Sequence, residues 1–245
     1  MRAHILHATG LDSTPGRILE VGCGTGAILH SLANSSPAAL YGLDHQFRHL
    51  QEAQTSFSLR QAQRTDSKTN TAGALLTCGD ACHLPFAAGS LDGAVCHFLL
   101  LWLADPAQAL DEMRRVIKSG GWVIAFAEPD HAGRIDYPAA LGPLGACQTT
   151  ALRQQGAAPA VGRSLRALFA QAGLQNIQAG LISGHWNAAF NPADWQQEWE
   201  ILEADLGHII PDAELSKLKE IDHAAWQSGE RILFIPTFYA WGQVP

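Results

Sequence analysis

Arg17 to Ala33 reads RILEVGCGTGAILHSLA. Its first five residues, Arg17 to Val21, are mostly apolar and typical of a buried strand, whereas Ala27 to Ala33 has helical character. The glycines between them, at positions 22, 24 and 26, let the backbone pass close to a ligand because no Cβ is in the way. The helix that follows offers free N–H groups and a positive dipole end. This order of strand, glycine loop and helix predicts a site for a nucleotide-like ligand.

The alternation that starts at this loop continues along the chain. Further strands are predicted at 39–43, 74–78, 91–96, 122–127, 176–183 and 231–240. Helices are predicted at 46–63, 106–118, 138–155, 163–172, 192–206 and 211–227. Ser119-Gly120-Gly121 is expected to end the second of these helices, and residues 65–71 are expected to form a mobile loop. Alternating strands and helices predict an α/β fold with a doubly wound, mainly parallel sheet whose ligand lies at the carboxyl ends of the strands.

Composition and charge exclude several classes of partner. The chain has 245 residues and a formal net charge of −7, and its 16 lysines and arginines are scattered, which argues against a nucleic-acid partner. The longest apolar stretch, Ala94 to Ala104, is too short to span a bilayer, so no membrane partner is predicted. The amino terminus lacks the pattern of a secretory signal. A cytoplasmic location is therefore expected, with the five cysteines as reduced thiols.

Two acidic residues distinguish between possible nucleotide-like ligands. Asp44 follows the second predicted strand, where an acidic residue can accept hydrogen bonds from a ribose diol. The third glycine of the loop comes one residue earlier than in the dinucleotide fingerprint. Glu20, just before the loop, would repel a pyrophosphate but attract an ammonium group. These features favour a ligand that carries a ribose and an amine over NAD.

The segment from Ile18 to Gly26 resembles the first motif of the class I S-adenosylmethionine-dependent methyltransferases, and Tyr41 to Asp44 is similar to their ribose-binding strand end. Three further segments match the family in order: GDACHLPF at 79–86, SLDGAV at 90–95 and ALDEMRRVIKSGG at 109–121. The resemblance covers residues 11–130 and lies nearest the small-molecule, ubiquinone-biosynthesis-like branch. It implies S-adenosylmethionine as cofactor and S-adenosylhomocysteine as product. It also implies one Rossmann-like methyltransferase domain over residues 1–245, with a seven-stranded sheet whose last strand is antiparallel.

The positions of the residues and the resemblance together predict the cofactor-binding set. Its members are Glu20, Gly22, Cys23, Gly24, Gly26, Asp44, His45, Asp80, Ala81 and Cys96. The Asp80 carboxylate and the Ala81 N–H are expected to face an adenine edge as acceptor and donor. A simpler role for Asp80 is to cap the next turn. No metal site is predicted, because the histidine and cysteine pairs lack the further ligands that zinc requires.

The loops after the fourth and fifth strands should meet over the cofactor and present the acceptor-side residues. His97 and His131 are candidates for a general base, which is needed only if the acceptor must lose a proton. Either histidine could instead be structural or face solvent. Phe98, Arg134, Tyr137 and Trp186 are predicted to bind the acceptor. Two additions, at about 130–160 and 186–228, are expected to form a cap. Trp195 and Trp199, four apart on one helix face, could line an aromatic pocket for the acceptor, but packing of the cap's own core is slightly favoured.

The sequence as a whole predicts a methyltransferase of small-molecule metabolism that acts on a hydrophobic or aromatic metabolite by in-line displacement. A monomer or a homodimer is compatible with it. Two alternatives are a nicotinamide-dependent oxidoreductase and a catalytically silent S-adenosylmethionine-binding protein that acts through partner contacts. Enzymes that methylate nucleic-acid amino groups are expected to carry Asp-Pro-Pro-Tyr or a variant after the fourth strand. This chain has Cys96-His97-Phe98-Leu99 there instead, which argues against that reaction.

Overall fold

The computed structural model describes residues 1–63, 74–182, 184 and 190–245, so the loop predicted at 65–71 lies outside the described residues. The strands are β1 (Arg17–Val21), β2 (Ala39–Asp44), β3 (Leu75–Cys78), β4 (Leu91–Cys96), β5 (Ile117–Pro129), β6 (Ile135–Tyr137), β7 (Gln175–Ile182), β8 (Ile232–Phe234) and β9 (Thr237–Gln243). The α-helices are α1 (Arg2–Thr9), α2 (Ala27–Ala33), α3 (Phe47–Gln63), α4 (Pro106–Val116), α5 (Gly142–Gln154), α6 (Leu165–Gln171), α7 (Pro192–Leu206) and α8 (Asp212–Ser228).

Seven of the strands form one sheet in the order β3-β2-β1-β4-β5-β9-β7. The pairs from β3 through β5 are parallel, and β9 runs antiparallel to both of its neighbours. This arrangement confirms the predicted doubly wound α/β sheet with an antiparallel last strand. Because β1 lies between β2 and β4, the loops after β1, β2 and β4 come together at one edge of the sheet.

Each face of the sheet has its own buried core, because successive side chains of a strand point to opposite faces. On β1, Leu19 packs into the core covered by α4 and α6. Its neighbour Ile18 packs into the core covered by α1 and α2. Helices on both faces bury the central strands, which is why β1 and β4 read as nearly continuous apolar runs.

The predicted strand at 231–240 is wrong in one respect, because it is two strands. Pro236, which cannot donate a backbone hydrogen bond, lies between β8 and β9. β8 leaves the main sheet and pairs antiparallel with β6, so that Ile135 faces Phe234 and Tyr137 faces Ile232. The two strands form a separate ribbon that the sequence analysis did not predict.

The turn predicted at Ser119-Gly120-Gly121 is also placed differently. Helix α4 already ends at Val116, and Ile117 adopts an extended conformation and pairs with Leu91 of β4. The glycines therefore lie inside β5, at the point where its register with β4 shifts. The Gly120 φ of +81° accommodates this irregularity.

A third core joins the two segments that the sequence marks as additions. Helices α5, α7 and α8 contribute its apolar residues, which include Leu144, Trp199 and Leu218. Trp199 is 1% exposed and Trp195 packs against the same cluster. Both indoles thus lie in the interior packing that their spacing on one helix face predicts.

Candidate cofactor site and acceptor side

A cavity of about 770 Å³ lies at the carboxyl ends of β1 to β4. Six predicted cofactor residues line it: Gly22, Gly24, Asp44, His45, Asp80 and Ala81. The segment after β4 supplies the facing wall through Phe98, Leu99, Trp102 and Leu103. The sheet topology therefore brings together residues that lie far apart in the chain.

Asp44 anchors the cavity at the end of β2. Its Oδ2 accepts the Gly24 N–H at 2.8 Å, and its Oδ1 accepts the Gln46 N–H at 2.8 Å. A carboxylate has about four lone-pair positions, so these bonds leave acceptor capacity for a ligand hydroxyl. The Nδ1 atoms of His45 and His49 lie 3.7 and 3.6 Å from Oδ1. Both histidines line the cavity beside Asp44.

Two glycines of the loop differ in what surrounds them. Gly22 has a φ of +70°, and a Cβ there would come within 2.6 Å of Leu99 Cδ1. Gly24 has a φ of +49°, but a Cβ there would meet no atom within 4 Å. Gly22 thus allows the loop to pack against the segment after β4. Gly24 leaves open space on the cavity side, where a ligand can approach the backbone.

Glu20 is 2% exposed and lies just before the glycine loop. Its Oε2 atom is buried and has no hydrogen-bond partner among the described residues. Burial raises the pKa of Glu20 well above its usual value, against the lowering effect of a hydrogen bond from the Leu29 backbone. Glu20 is not among the residues that line the cavity, but its unpartnered carboxyl oxygen just before the glycine loop fits a ligand that brings a cationic or donor group, as S-adenosylmethionine does with its amine.

Asp80 follows β3 and its side chain is largely exposed. Its Oδ1 accepts the Cys82 N–H at 2.9 Å, and its Oδ2 lies 3.1 Å from His83 Nδ1. These contacts, the Cys82 N–H first, hold the pKa of Asp80 below its usual value. The hydrogen bond from the Cys82 N–H is the kind that caps a turn, the simpler role predicted for Asp80. Because Asp80 and Ala81 also line the cavity, capping and ligand binding are compatible here.

The two cysteines of the predicted cofactor set are buried away from the cavity lining. Cys96 is fully buried in the core below α4, because it alternates along β4 with residues of the opposite face. Cys23 packs into the opposite core. Burial raises the pKa of Cys23 to about 12 and that of Cys96 well above its usual value. Both thiols are therefore protonated. The last loop glycine, Gly26, is the N-cap residue of α2 and packs against α3.

The two candidate bases occupy different surroundings. His97 is half-buried, and its ring centroid lies 4.3 Å from that of Phe98, which lines the cofactor cavity. His131 lines a separate cavity of about 690 Å³ that shares no residue with the first. Burial lowers the pKa of both histidines, aided by Arg2 for His97 and by Arg134 for His131. Both rings are thus neutral at physiological pH, as a general base must be.

The remaining predicted acceptor residues are dispersed. The Arg134 side chain is buried. Its guanidinium Nε and Nη2 donate to Asp136 Oδ2 and Oδ1 at 2.6 and 3.0 Å, and its Nη1 donates to Gln148 Oε1. Tyr137 lies on the exposed face of the ribbon, 53% exposed. Trp186 lies outside the described residues. Of the acceptor residues that the structure describes, only Phe98 lines the cofactor cavity.

A buried ion network that the sequence analysis missed joins the two additions. Asp136 Oδ1 lies 2.8 Å from Arg231 Nη2, and Arg231 Nε lies 2.6 Å from Asp222 Oδ1. Asp222 Oδ2 accepts the Trp195 and Trp199 indole N–H groups at 2.7 and 2.8 Å. No local pattern could have indicated this network, since Asp136 and Arg231 are 95 positions apart.

The part of the chain that the structure describes contains neither a candidate metal site nor a candidate membrane-spanning helix. It holds no group of three or more histidine, cysteine, aspartate or glutamate side chains that could bind a metal ion. None of its helices is both long enough and apolar enough to cross a membrane.

The glycine loop, the two aspartates and the strand order define the class of the domain. The sheet order is that of the Rossmann-like fold of class I S-adenosylmethionine-dependent methyltransferases, as the motifs predict. Residues 19–125 match the methyltransferase domain family. Residues 19–125 therefore form a methyltransferase domain of this class, whose cofactor is S-adenosylmethionine.

Individual proteins similar to the chain agree with this assignment. An uncharacterized methyltransferase of Schizosaccharomyces pombe is 31% identical over 152 residues, which cover 61% of this chain and 53% of that protein. The malonyl acyl-carrier-protein O-methyltransferase of Geobacter sulfurreducens is 33% identical over 126 residues, covering 50% and 41%. The chain thus spans about half or less of these relatives. The structure of a Bacillus halodurans putative methyltransferase matches 99% of this chain and 98% of its own, with TM-score 0.62 and 14% identity.

Proposed function

We propose that this chain transfers the methyl group of S-adenosylmethionine to a small-molecule acceptor. The observation that carries the proposal is the meeting of the glycine loop, Asp44 and Asp80 around one cavity. The buried, unpartnered carboxyl oxygen of Glu20, the residue two positions before Gly22, supports it. The relatives named methyltransferases support the same reaction type.

The residues divide the binding of the donor among them. Asp44 would accept hydrogen bonds from the ribose, and Asp80 with the Ala81 N–H would hold the adenine edge. Glu20 would balance the charge of the amine. When bound, S-adenosylmethionine supplies a methyl group that an acceptor lone pair can attack as the carbon–sulfur bond breaks, leaving S-adenosylhomocysteine. The protein's part is to align the reactants and exclude water, which can contribute about 7–11 kcal/mol.

The acceptor we propose is hydrophobic or aromatic. Phe98 and Trp102 line the cavity and are 45% and 48% exposed, so they offer apolar surface next to the donor site. Only 16% of the residues in the chain are charged. The ubiquinone-biosynthesis-like branch, the cap at about 130–160 and 186–228, and a monomeric or homodimeric state remain predictions.

A thermal-shift experiment tests the donor assignment against its two alternatives. S-adenosylmethionine at about 100 times its Kd should stabilise the chain by about 2.7 kcal/mol, and NAD should not. Stabilisation by NAD alone would favour the oxidoreductase. Stabilisation by S-adenosylmethionine without turnover on any acceptor would favour the silent binding protein.

His97 is the better-placed candidate base, because it lies beside a residue of the cofactor cavity. If the acceptor must lose a proton, His97→Gln should lower the methylation rate about 100-fold while the donor Kd stays unchanged. His131→Gln is the matched control and should retain most of the rate. Rates and donor affinities are measured for both variants. Wild-type methylation rates in both variants would show that neither histidine acts as the base.

Donor binding should release protons through Glu20. The raised pKa means that the free protein retains a proton on Glu20 at pH values where an ordinary glutamate is ionised. A cation bound nearby lowers that pKa, so donor affinity should increase as pH rises through the raised value. Calorimetry in buffers of different ionisation enthalpy should show up to about one proton released. Glu20→Gln should abolish the release, and an unchanged release would contradict the role of Glu20.

A further inference from the structure

Glu128 lies at the end of β5 and is fully buried, at 0% exposure. Its two oxygens are occupied by consecutive backbone amides of the segment after β4. Oε1 accepts the N–H groups of Leu99 and Leu100, each at 3.0 Å, and Oε2 accepts that of Leu101 at 3.2 Å. Three backbone N–H donors converge on this one carboxyl group and hold the segment, and each of these bonds is strongest when the carboxyl is ionised.

A fourth bond extends the same attachment. The Phe98 N–H donates to the Ala127 carbonyl oxygen at 2.9 Å, so the end of β5 holds four consecutive amides, those of residues 98–101. Phe98 has a φ of +51°, which a non-glycine residue rarely adopts. This backbone conformation persists only if its surroundings hold it, and these four bonds provide the support.

The segment that Glu128 holds forms one wall of the cofactor cavity. Phe98, Leu99, Trp102 and Leu103 line the cavity. Leu99 also packs so closely on the glycine loop that a Cβ on Gly22 would collide with it. The position of the segment therefore determines the width of the cavity between the glycine loop and the facing wall.

Glu128 itself does not line the cavity, and its oxygens already accept backbone donors. Burial raises its pKa to about 7, against the lowering effect of the Leu100, Leu99 and Leu101 N–H groups. A group so enclosed does not reach the reacting atoms.

We propose that Glu128 is a positioning residue that holds the Phe98–Leu101 segment as the wall of the methyl-donor cavity. The inference rests on the proposed function only for the identity of the ligand. The attachment of the segment can be measured without any ligand.

Amide hydrogen exchange tests the attachment in the free protein. Glu128→Gln keeps the shape of the side chain but replaces one acceptor oxygen with a donor NH₂ group. We expect exchange at residues 99–101 to be at least about tenfold faster than in the wild type, with β1 and β4 unchanged. Asp92→Asn is the matched control, because Asp92 also accepts a backbone N–H, from Arg17 at 2.8 Å. Unchanged exchange at 99–101 in Glu128→Gln would overturn the proposal.

Donor titration and kinetics test the consequence for the cavity. Glu128→Gln should raise the Kd and KM for S-adenosylmethionine about tenfold, with kcat at saturating donor changed far less. Leu99→Ala keeps the hydrogen bonds between Glu128 and the backbone of residues 99–101 but removes the side chain that packs on the glycine loop. It should weaken donor binding without faster exchange at 100–101. The positioning role would be overturned if Glu128→Gln made exchange at residues 99–101 faster while the donor Kd stayed unchanged in both Glu128→Gln and Leu99→Ala. Failure of the wild type to bind the donor would contradict the proposed function. The exchange experiment would still test whether Glu128 holds residues 99–101.

Discussion

Asp44→Ala is expected to reduce the affinity for S-adenosylmethionine at least 100-fold. The carboxylate would bind the ribose hydroxyls, and hydrogen bonds to a charged group are worth about 1.5–3 kcal/mol each. The substitution also leaves the Gly24 and Gln46 N–H groups without their acceptor, so the glycine loop loses an internal support. Both effects act on donor binding. Isothermal titration of donor into wild type and variant measures the change.

Glu52→Ala is the matched control for charge. Glu52 lies on α3, where it pairs with Arg48, and its removal changes the net charge by the same amount. It should leave the donor Kd unchanged. Wild-type affinity in Asp44→Ala would show that Asp44 does not hold the ribose.

Asp222→Ala is expected to lower the free energy of unfolding by about 3–5 kcal/mol, because removing one partner of a buried ion pair leaves the other uncompensated. Asp222 is 4% exposed and accepts from Arg231, Trp195 and Trp199. The loss would leave the buried Trp199 indole N–H and the partly buried Trp195 indole N–H without their acceptor. It would be a large fraction of the usual stability of about 5–15 kcal/mol.

Urea unfolding followed by tryptophan fluorescence measures this effect. Glu220→Ala is the matched control, since Glu220 is exposed on the same helix, and it should change stability by less than about 0.5 kcal/mol. A change below about 1 kcal/mol in Asp222→Ala would show that the network does not hold α7 and α8 together.

The parallel part of the fold could be predicted because its signals are local. The bounds of β1 and β4 match the structure, since each is an apolar run that ends at a glycine or polar turn. The ribbon of β6 and β8 could not be predicted in this way. Its strands have three residues each, too few for a periodic pattern, and they pair across almost 100 positions of sequence.

The same distinction holds for the site. The cofactor side comes from short motifs that each end a strand, so Asp44 and Asp80 could be placed from sequence. The acceptor side depends on tertiary partners. Arg134 is predicted to bind the acceptor, but its guanidinium group is occupied by Asp136. Glu128 gave one usable signal, an acidic residue directly after the apolar run at the end of β5, whose partners only the fold could reveal.

Methyl transfer itself tests the central claim most directly. The protein would be incubated with S-adenosylmethionine labelled in its methyl group and with a metabolite extract, and labelled products would be identified by mass spectrometry. We expect a labelled small, apolar product and an equal amount of S-adenosylhomocysteine, both strongly reduced with Asp44→Ala at the same subsaturating donor concentration. Tight donor binding with no labelled product in extracts that span the cell's metabolites would contradict it.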